Sequence, residues 1–404
     1  ASGSDDDVKN GYLHHAGARL PLLEKAIFTL EKEAIPRWGK FLQGYYDLSG
    51  VVADSFDQAI QMTQGGHATL TKDLQKKGIR LNQMNNPAIY YLRFNMLDSV
   101  VGGDSERARK LRLAISIAID YEEQIAIFLN GQGHPAQGPI PPGLFGNLKG
   151  EKGINPYVYT WKGEPVRRPV SDAKRLLKEA GYQDGLDPKT RKPLILHYDV
   201  PATGGPDDKA QLNWMRKQFA QIGIALNVRA TQYNRFQEKM RSGNAQLFSW
   251  GWNADYPDPE NFLFLLYGPN AKVTHGGENA ANYQNARFDA LFEQMKSLPN
   301  NEKRQQLIEQ LLDIVRHDAP WAWGIHTQSM ILSQLWVAPF KTNTISNNTL
   351  KYMAIDVPLR NRLRVAWNQP VLWPVVLFLL LLGCFLVPLI IAYTQKQKQR
   401  APRV

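Results

Sequence analysis

The chain is poor in the residue sets that most chemistries require. Its single cysteine, Cys384, excludes an internal disulfide and leaves the redox compartment open. No Cys, His, Asp and Glu recur at a metal-ligand spacing, and the pair His14-His15 reads as solvated. No nucleophile–base pairing or phosphate loop stands out. Gly131-Gln-Gly133 begins like a dinucleotide loop, but it follows a helical stretch rather than a strand. Pro135, Pro139, Pro141 and Pro142 then leave no helix N-terminus for a phosphate, so residues 131–143 read as a rigid surface loop. No catalytic residue, cofactor or metal is therefore expected. Acidic charge is missing from residues 360–404, which hold seven basic side chains and leave the body at +4 of the formal +11. A near-balanced body gives no basic face, so nucleic acid is not expected as a partner. The chain opens on Ala-Ser-Gly-Ser-Asp-Asp-Asp, with no apolar signal core.

What is present begins with a long uncharged run, Val371 to Tyr393. As a helix these residues rise about 34 Å, enough for a hydrocarbon core of ~30 Å. Trp367 and Trp373 at one end and Tyr393 at the other suit the two interfaces. A transmembrane span in contact with lipid is expected. Pro374 falls near its start and Pro388 inside it, where membrane helices tolerate a kink. Lys396, Lys398 and Arg400 favour a cytoplasmic C-terminus, while Arg360, Arg362 and Arg364 flank the other end.

Near the middle lies Gly251-Trp-Asn-Ala-Asp255-Tyr-Pro-Asp-Pro259. One carboxylate, Asp255, stands close in sequence to two indoles, Trp250 and Trp252. Pro257 and Pro259 push Tyr256 and Asp258 toward extended backbone. Indole faces attract cations, and a partly desolvated acid holds an ammonium through charge-assisted hydrogen bonds. A plain turn with a helix cap is the competing reading, because Asp and Pro are ordinary turn residues.

Architecture is clearest over 171–250. Ser171 is expected to cap a helix that ends at Gly181, and 193–200 reads as a strand. A helix over 207–222, a strand over 224–231, a helix over 233–241 and a strand over 246–250 follow. This β-α-β-α-β order predicts a parallel sheet with right-handed crossovers, and the Asp255 loop leaves the carboxyl end of its last strand, where open α/β sheets bind ligands. Elsewhere the pattern predicts strands over 24–30, 45–48 and 88–96, and helices over 33–43 and 54–62. It also predicts a helix with a capping box of Asp120 and Glu123, two amphipathic helices within 285–317, and a returning strand over 321–333. Trp321 and Trp323 fit either core or cleft, and His326 reads as a satisfied strand residue.

The stretch around Asp255 resembles the W-x-A-D-Y-x-x-P-x-x-F-L segment of the family 5 solute-binding proteins, the peptide- and nickel-binding receptors of ABC importers. Tyr90-Tyr-Leu-Arg-Phe-Asn-Met96 with Arg107–Asp120, and Gly131–Gly143, resemble the same family in its order and approximate spacing, over about residues 18–356. The resemblance implies an α/β, periplasmic binding protein-like (type II) fold of two lobes, with one lobe incomplete and one C-terminal transmembrane helix added. It implies a polar arm over 1–18, a partial lobe I over 19–95, lobe II over 96–322 and a return segment over 323–359. A juxtamembrane linker over 360–370, the span over 371–393 and a basic cytoplasmic tail over 394–404 complete the chain. Tyr91–Met96 and Trp323–Gln328 would cross between the lobes.

By the same resemblance Asp255 pairs with a ligand's ammonium, Trp252 and Asn253 lend backbone contacts, and Asn95 is a further candidate beside Trp250. The implied function is a membrane-anchored solute-binding subunit on the periplasmic side of the inner membrane, serving an ABC permease. The family's N-terminal portion is absent here, so a separate fragment or second chain is expected to complete lobe I. A scaffold subunit of another membrane complex is the alternative.

Overall fold

The computed structural model describes residues 3–51, 55–62, 68–188, 190–202, 205–343 and 348–400. Twelve strands occur among them: β1 Leu48–Gly50, β2 Ile60–Met62, β3 Ala68–Leu70, β4 Arg80–Asn85, β5 Ala88–Phe94, β6 Gly133–Pro135, β7 Tyr159–Trp161, β8 Pro165–Arg167, β9 Ile195–Pro201, β10 Ala225–Thr231, β11 Leu247–Asn253 and β12 Trp321–Ser333. Eight form one mixed sheet along the path β1-β12-β5-β11-β9-β10, with β4 and β6 also on β12. β9, β10 and β11 are parallel, joined by the helices Pro206–Ala220 and Tyr233–Ser242. The sequence reading of 193–250 thus forms as a βαβαβ unit. β11 also runs antiparallel to β5, which makes the sheet mixed.

Strand β12 organises the rest. Its first half lies against β5 and β6, and from Gln328 onward it pairs with β4 and then β1. Its pairing with β5 slips between Trp323 and Ile325. Gly324 sits at that slip, and a Cβ there would lie 2.2 Å from the Tyr90 carbonyl oxygen, so the close approach of the two backbones requires glycine.

Four apolar cores occur among the described residues, the smallest being Phe236, Met240, Ala245, Phe248 and Ala280, and the other three follow this division. One face of the larger body packs Leu92, Phe94 and Leu196 against the helices Glu106–Ala118, Val170–Glu179 and Pro206–Ala220. The other packs Ile89, Tyr91, Trp321 and Trp323 against the helices Ala286–Met295 and Glu302–Asp318. Beyond Gln328 a smaller core gathers Trp38, Phe41, Leu74, Ile79, Met330 and Leu332. Trp321 and Trp323 are therefore core residues.

Several expectations are corrected. Residues 24–30 form no strand, and Ile27, Phe28 and Leu30 are largely exposed, Phe28 at 83 %. An extended apolar run becomes a strand only when a neighbour takes its hydrogen bonds. The strand expected over 45–48 forms at Leu48–Gly50. In place of a helix over 54–62 there is one turn, Phe56–Ala59, followed by β2, while residues 52–54 lie outside the described residues. Ser171 does not cap its helix, which starts at Val170 behind Pro169. Asp120 does cap the Glu123 N–H, but the Glu123 carboxylate accepts from Trp214 Nε1 at 2.7 Å and Gln218 Nε2 at 2.9 Å, so a tertiary contact replaces half of the expected box. Part of the loop expected over 131–143 pairs with β12 as β6.

The helix Val357–Trp367 is held to the smaller core. Trp367 lies 5.4 Å from Trp336 between ring centroids, Asn368 Nδ2 donates to Gln43 O at 2.9 Å, and Arg360 lies 3.6 Å from Asp47. The helix Trp373–Arg400 follows. Its stretch Trp373–Lys396 contains an 18-residue window of mean hydropathy 3.1, none of which is buried. An apolar surface of that size in water costs on the order of 1.5–3 kcal/mol per large side chain, so lipid or other protein must cover it.

Candidate functional site

The strand β11 carries the candidate residues, and its period of two sorts them. Phe248, Trp250 and Trp252 face one side, while Ser249, Gly251 and Asn253 face the other. Trp250 stacks on Phe236 at 5.4 Å between centroids and meets Phe248 edge-on. Trp252 sets its ring edge-on to Phe264 and donates from Nε1 to Asn261 Oδ1 at 3.2 Å. Both indoles are half-buried and pack inward. They form the floor beneath the strand, and the structure does not aim them at the acid. On the opposite face Tyr90 is exposed and its ring covers Gly251, where a Cβ would meet ring carbons at 2.6 Å. Asn253 is exposed beyond it.

Asp255 lies just past the end of β11 and is exposed. Its backbone N–H donates to Asn261 Oδ1 at 2.9 Å, and Ala254 N–H donates to Pro87 O at 2.8 Å. Among the described residues its carboxylate has no protein partner. Buried Asn261, which the sequence pattern did not single out, thus fixes both the Trp252 ring and the Asp255 backbone through one amide oxygen. The next acid has the opposite fate. Asp258 accepts from the Glu260 N–H and binds the buried Arg304 guanidinium through both carboxylate oxygens. The loop is rigid behind Asp255 and open in front of it.

Asn95 belongs to the framework. Its amide donates to Gly243 O at 2.9 Å and Ala245 O at 2.8 Å and accepts from Leu97 N and Asn282 Nδ2, so all four hydrogen-bonding positions are used inside the protein. That leaves it nothing to offer a ligand.

The edge of β11 is the second feature. Along its whole length one edge pairs with β5, but the other meets β9 only at Leu247 and Phe248. From Ser249 to Asn253 the second edge has no strand beside it among the described residues. Unpaired main-chain donors and acceptors therefore run directly toward Asp255.

Beneath the strand lies an unusual cation. Arg93 is 1 % exposed and sits over the rings of Tyr91, Trp321, Trp250 and Phe248 at 4.7, 5.2, 5.7 and 6.0 Å. It donates to the Tyr91 hydroxyl, and Tyr91 stacks on Trp321 at 3.7 Å. Burial pushes the Tyr91 phenol up, so it stays neutral and accepts from Arg93. Among the described residues no carboxylate pairs with this guanidinium. Ring quadrupoles take that role. An arginine in Tyr-Tyr-Leu-Arg-Phe carries no such signal, because three of its four rings come from β11 and β12.

A model of bacterial extracellular solute-binding proteins, family 5 middle, matches residues 8–273. Heme-binding protein A of Haemophilus influenzae is 26 % identical over 310 residues, which cover 76 % of this chain and 49 % of that protein. Dipeptide-binding protein of Escherichia coli is 22 % identical over 304 residues, covering 74 % of this chain and 49 % of that one. The chain thus spans about half the length of these curated relatives. Among solved structures, the periplasmic binding protein DppA of Helicobacter pylori in complex with the peptide STSA superposes with a TM-score of 0.60 at 21 % identity, over 80 % of this chain and 55 % of that one. HbpA2 of Haemophilus parasuis gives 0.63 at 19 %, over 83 % and 59 %. These likenesses establish the two-lobed type II binding-protein fold expected from the sequence.

Proposed function

The chain belongs to the bacterial extracellular solute-binding proteins of family 5, a family of binding proteins, and from that premise we propose that it is the membrane-anchored solute-binding part of an ABC-type importer. It takes peptides or similar small cationic solutes on the periplasmic side of the inner membrane. The observation that carries this reading is the open edge of β11 leading to an acid with no protein partner. An extended peptide adds to such an edge as a strand, through main-chain hydrogen bonds. Its α-ammonium then reaches Asp255, with Trp252 and Asn253 supplying backbone groups.

Asp255 is exposed, and an ion pair in open water contributes about 0–1 kcal/mol. Tight capture therefore needs a second wall that excludes water. The smaller core and the exposed run at Ile27, Phe28 and Leu30 offer a partial lobe for another polypeptide segment to complete. The apolar helix Trp373–Arg400 is read as the anchor, in contact with lipid.

Calorimetric titration of a dipeptide into the full chain, purified with whatever accompanies it, tests the site. Asp255→Ala should weaken binding on the order of tenfold; unchanged affinity refutes the role. A scaffold in another membrane complex is favoured instead by the exposure of Asp255. Intact mass spectrometry of the co-purifying chains separates the two readings: a permease and ATPase support the importer, and an unrelated complex supports the scaffold.

A further inference from the structure

A second constellation lies on the far side of β5 from β11. A partly open cavity of about 170 Å³ is bounded by β6, the loop that follows it, β12 and the helix Glu302–Asp318. Its wall carries Arg316, His134, His326 and Asn147 beside apolar Ile140 and Leu312, and among the described residues no Asp or Glu lines it.

Arg316 is 4 % exposed, and burial lowers its pKa to about 10. It donates from Nε to Gln137 O at 2.9 Å, from Nη2 to Gly153 O at 2.7 Å and from Nη1 to Lys152 O at 3.4 Å. A guanidinium has five N–H donors, so two remain. Among the described residues no carboxylate lies within ion-pair distance of it. Asp313, one turn earlier on the same helix, acts on it only through charge.

His134 and His326 stand directly opposite each other in the β6–β12 register, so their side chains share one face, with Cβ atoms about 5 Å apart. His326 is buried with Nδ1 3.0 Å from Ala88 O and Nε2 3.2 Å from Gly138 O. A neutral imidazole has one N–H and can serve only one of these carbonyls. It is a buried strand residue held by backbone carbonyls, as the sequence predicts, and its single N–H serves one of the two at a time. His134 is exposed at the mouth of the cavity, and its ring makes no hydrogen bond to the described protein.

A buried cation without a counter-ion is costly, and an anion with matching hydrogen bonds removes that cost. The apolar part of the wall selects an anion with a short aliphatic tail over an inorganic one. We propose that this cavity is a binding site for a small monocarboxylate, with its carboxylate on the free N–H groups of Arg316 and on His134, and its tail on Ile140 and Leu312. A liquid water occupies about 30 Å³, so the space suits a chain of a few carbons. The site stands on residues separate from Asp255 and does not depend on peptide capture there.

The test is a titration of sodium butanoate into the full chain in detergent, followed by the ring resonances of labelled histidines. Saturable binding is expected with a Kd on the order of 1 mM, with His134 and His326 shifting together. His134→Leu should weaken it about tenfold while leaving the melting curve without butanoate unchanged. Butyramide, which has the same shape and no charge, should not bind. No saturable shift, equal binding of butyramide, or undiminished affinity in His134→Leu would each overturn the assignment.

Discussion

Arg304 grips Asp258 and leaves Asp255 alone. The guanidinium meets Asp258 through two contacts, Nη2–Oδ1 at 2.6 Å and Nη1–Oδ2 at 2.8 Å, and also donates from Nε to Met295 O at 3.2 Å. The two acids lie three residues apart, yet one is structural and the other free. Asp258→Ala strands a buried cation and should cost about 3 kcal/mol. Asp255→Ala should cost less than about 0.5 kcal/mol. Urea denaturation of the two variants checks both, and similar losses would contradict the division of roles.

Arg93 makes a sharper case. Truncation to Ala removes the cation from four rings and opens a cavity, with an expected loss of about 3 kcal/mol. Met fills much of the same volume without a charge to desolvate. Arg93→Met should therefore stay within about 1 kcal/mol of the parent. If Met proves as damaging as Ala, the positive charge itself holds Tyr91, Trp250 and Trp321 in place.

Acid sensitivity follows from His326. Burial lowers its folded pKa to about 4, below the ordinary value of 6.5, against the raising effect of the Ala88 and Gly138 carbonyls. The unfolded chain then binds a proton that the folded chain refuses. Stability is complete above about pH 6.5, falls as pH drops toward 4, and levels off below that, with a total loss on the order of 3 kcal/mol. His326→Gln should flatten this part of the curve, as read by thermal melts across that window. An unchanged slope would assign the proton uptake to other groups.

The β12 slip supplies a fourth test. Gly324→Ala places a methyl group 2.2 Å from the Tyr90 carbonyl oxygen, and a backbone atom in a paired strand cannot swing aside. The pairing of β5 with β12 should weaken, at a cost of about 3 kcal/mol. Hydrogen exchange at Tyr91 and Trp323 should quicken first, and protection equal to the parent's would show that the slip accommodates a side chain.

Much of the parallel unit was legible because 193–250 alternates period two with helical spacing across short loops. Residues 24–30 have the apolar composition of a strand, but among the described residues no strand pairs with them. The capping box failed by half because Glu123 serves Trp214 and Gln218, both 91 or more residues away. At the candidate site, the position of Asp255 at a strand end was readable, whereas the inward turn of Trp250 and Trp252 was not. Sequence proximity put the indoles near the acid, but alternation along β11 carries their rings to the other face. Nor could local chemistry distinguish Asp255 from Asp258, since the distinguishing partner, Arg304, comes 46 residues later.

The clasp between Trp367 and Trp336 turns the C-terminal connection into a short leash. Only Gln369 to Leu372 separate the pinned segment from the apolar helix, a reach of at most about 14 Å. A body of this size has a radius of gyration of about 21 Å. On the proposed reading, in which that helix is the anchor, the body can tilt but cannot travel, and any handover happens where the helix emerges, so the neighbour has to come to it.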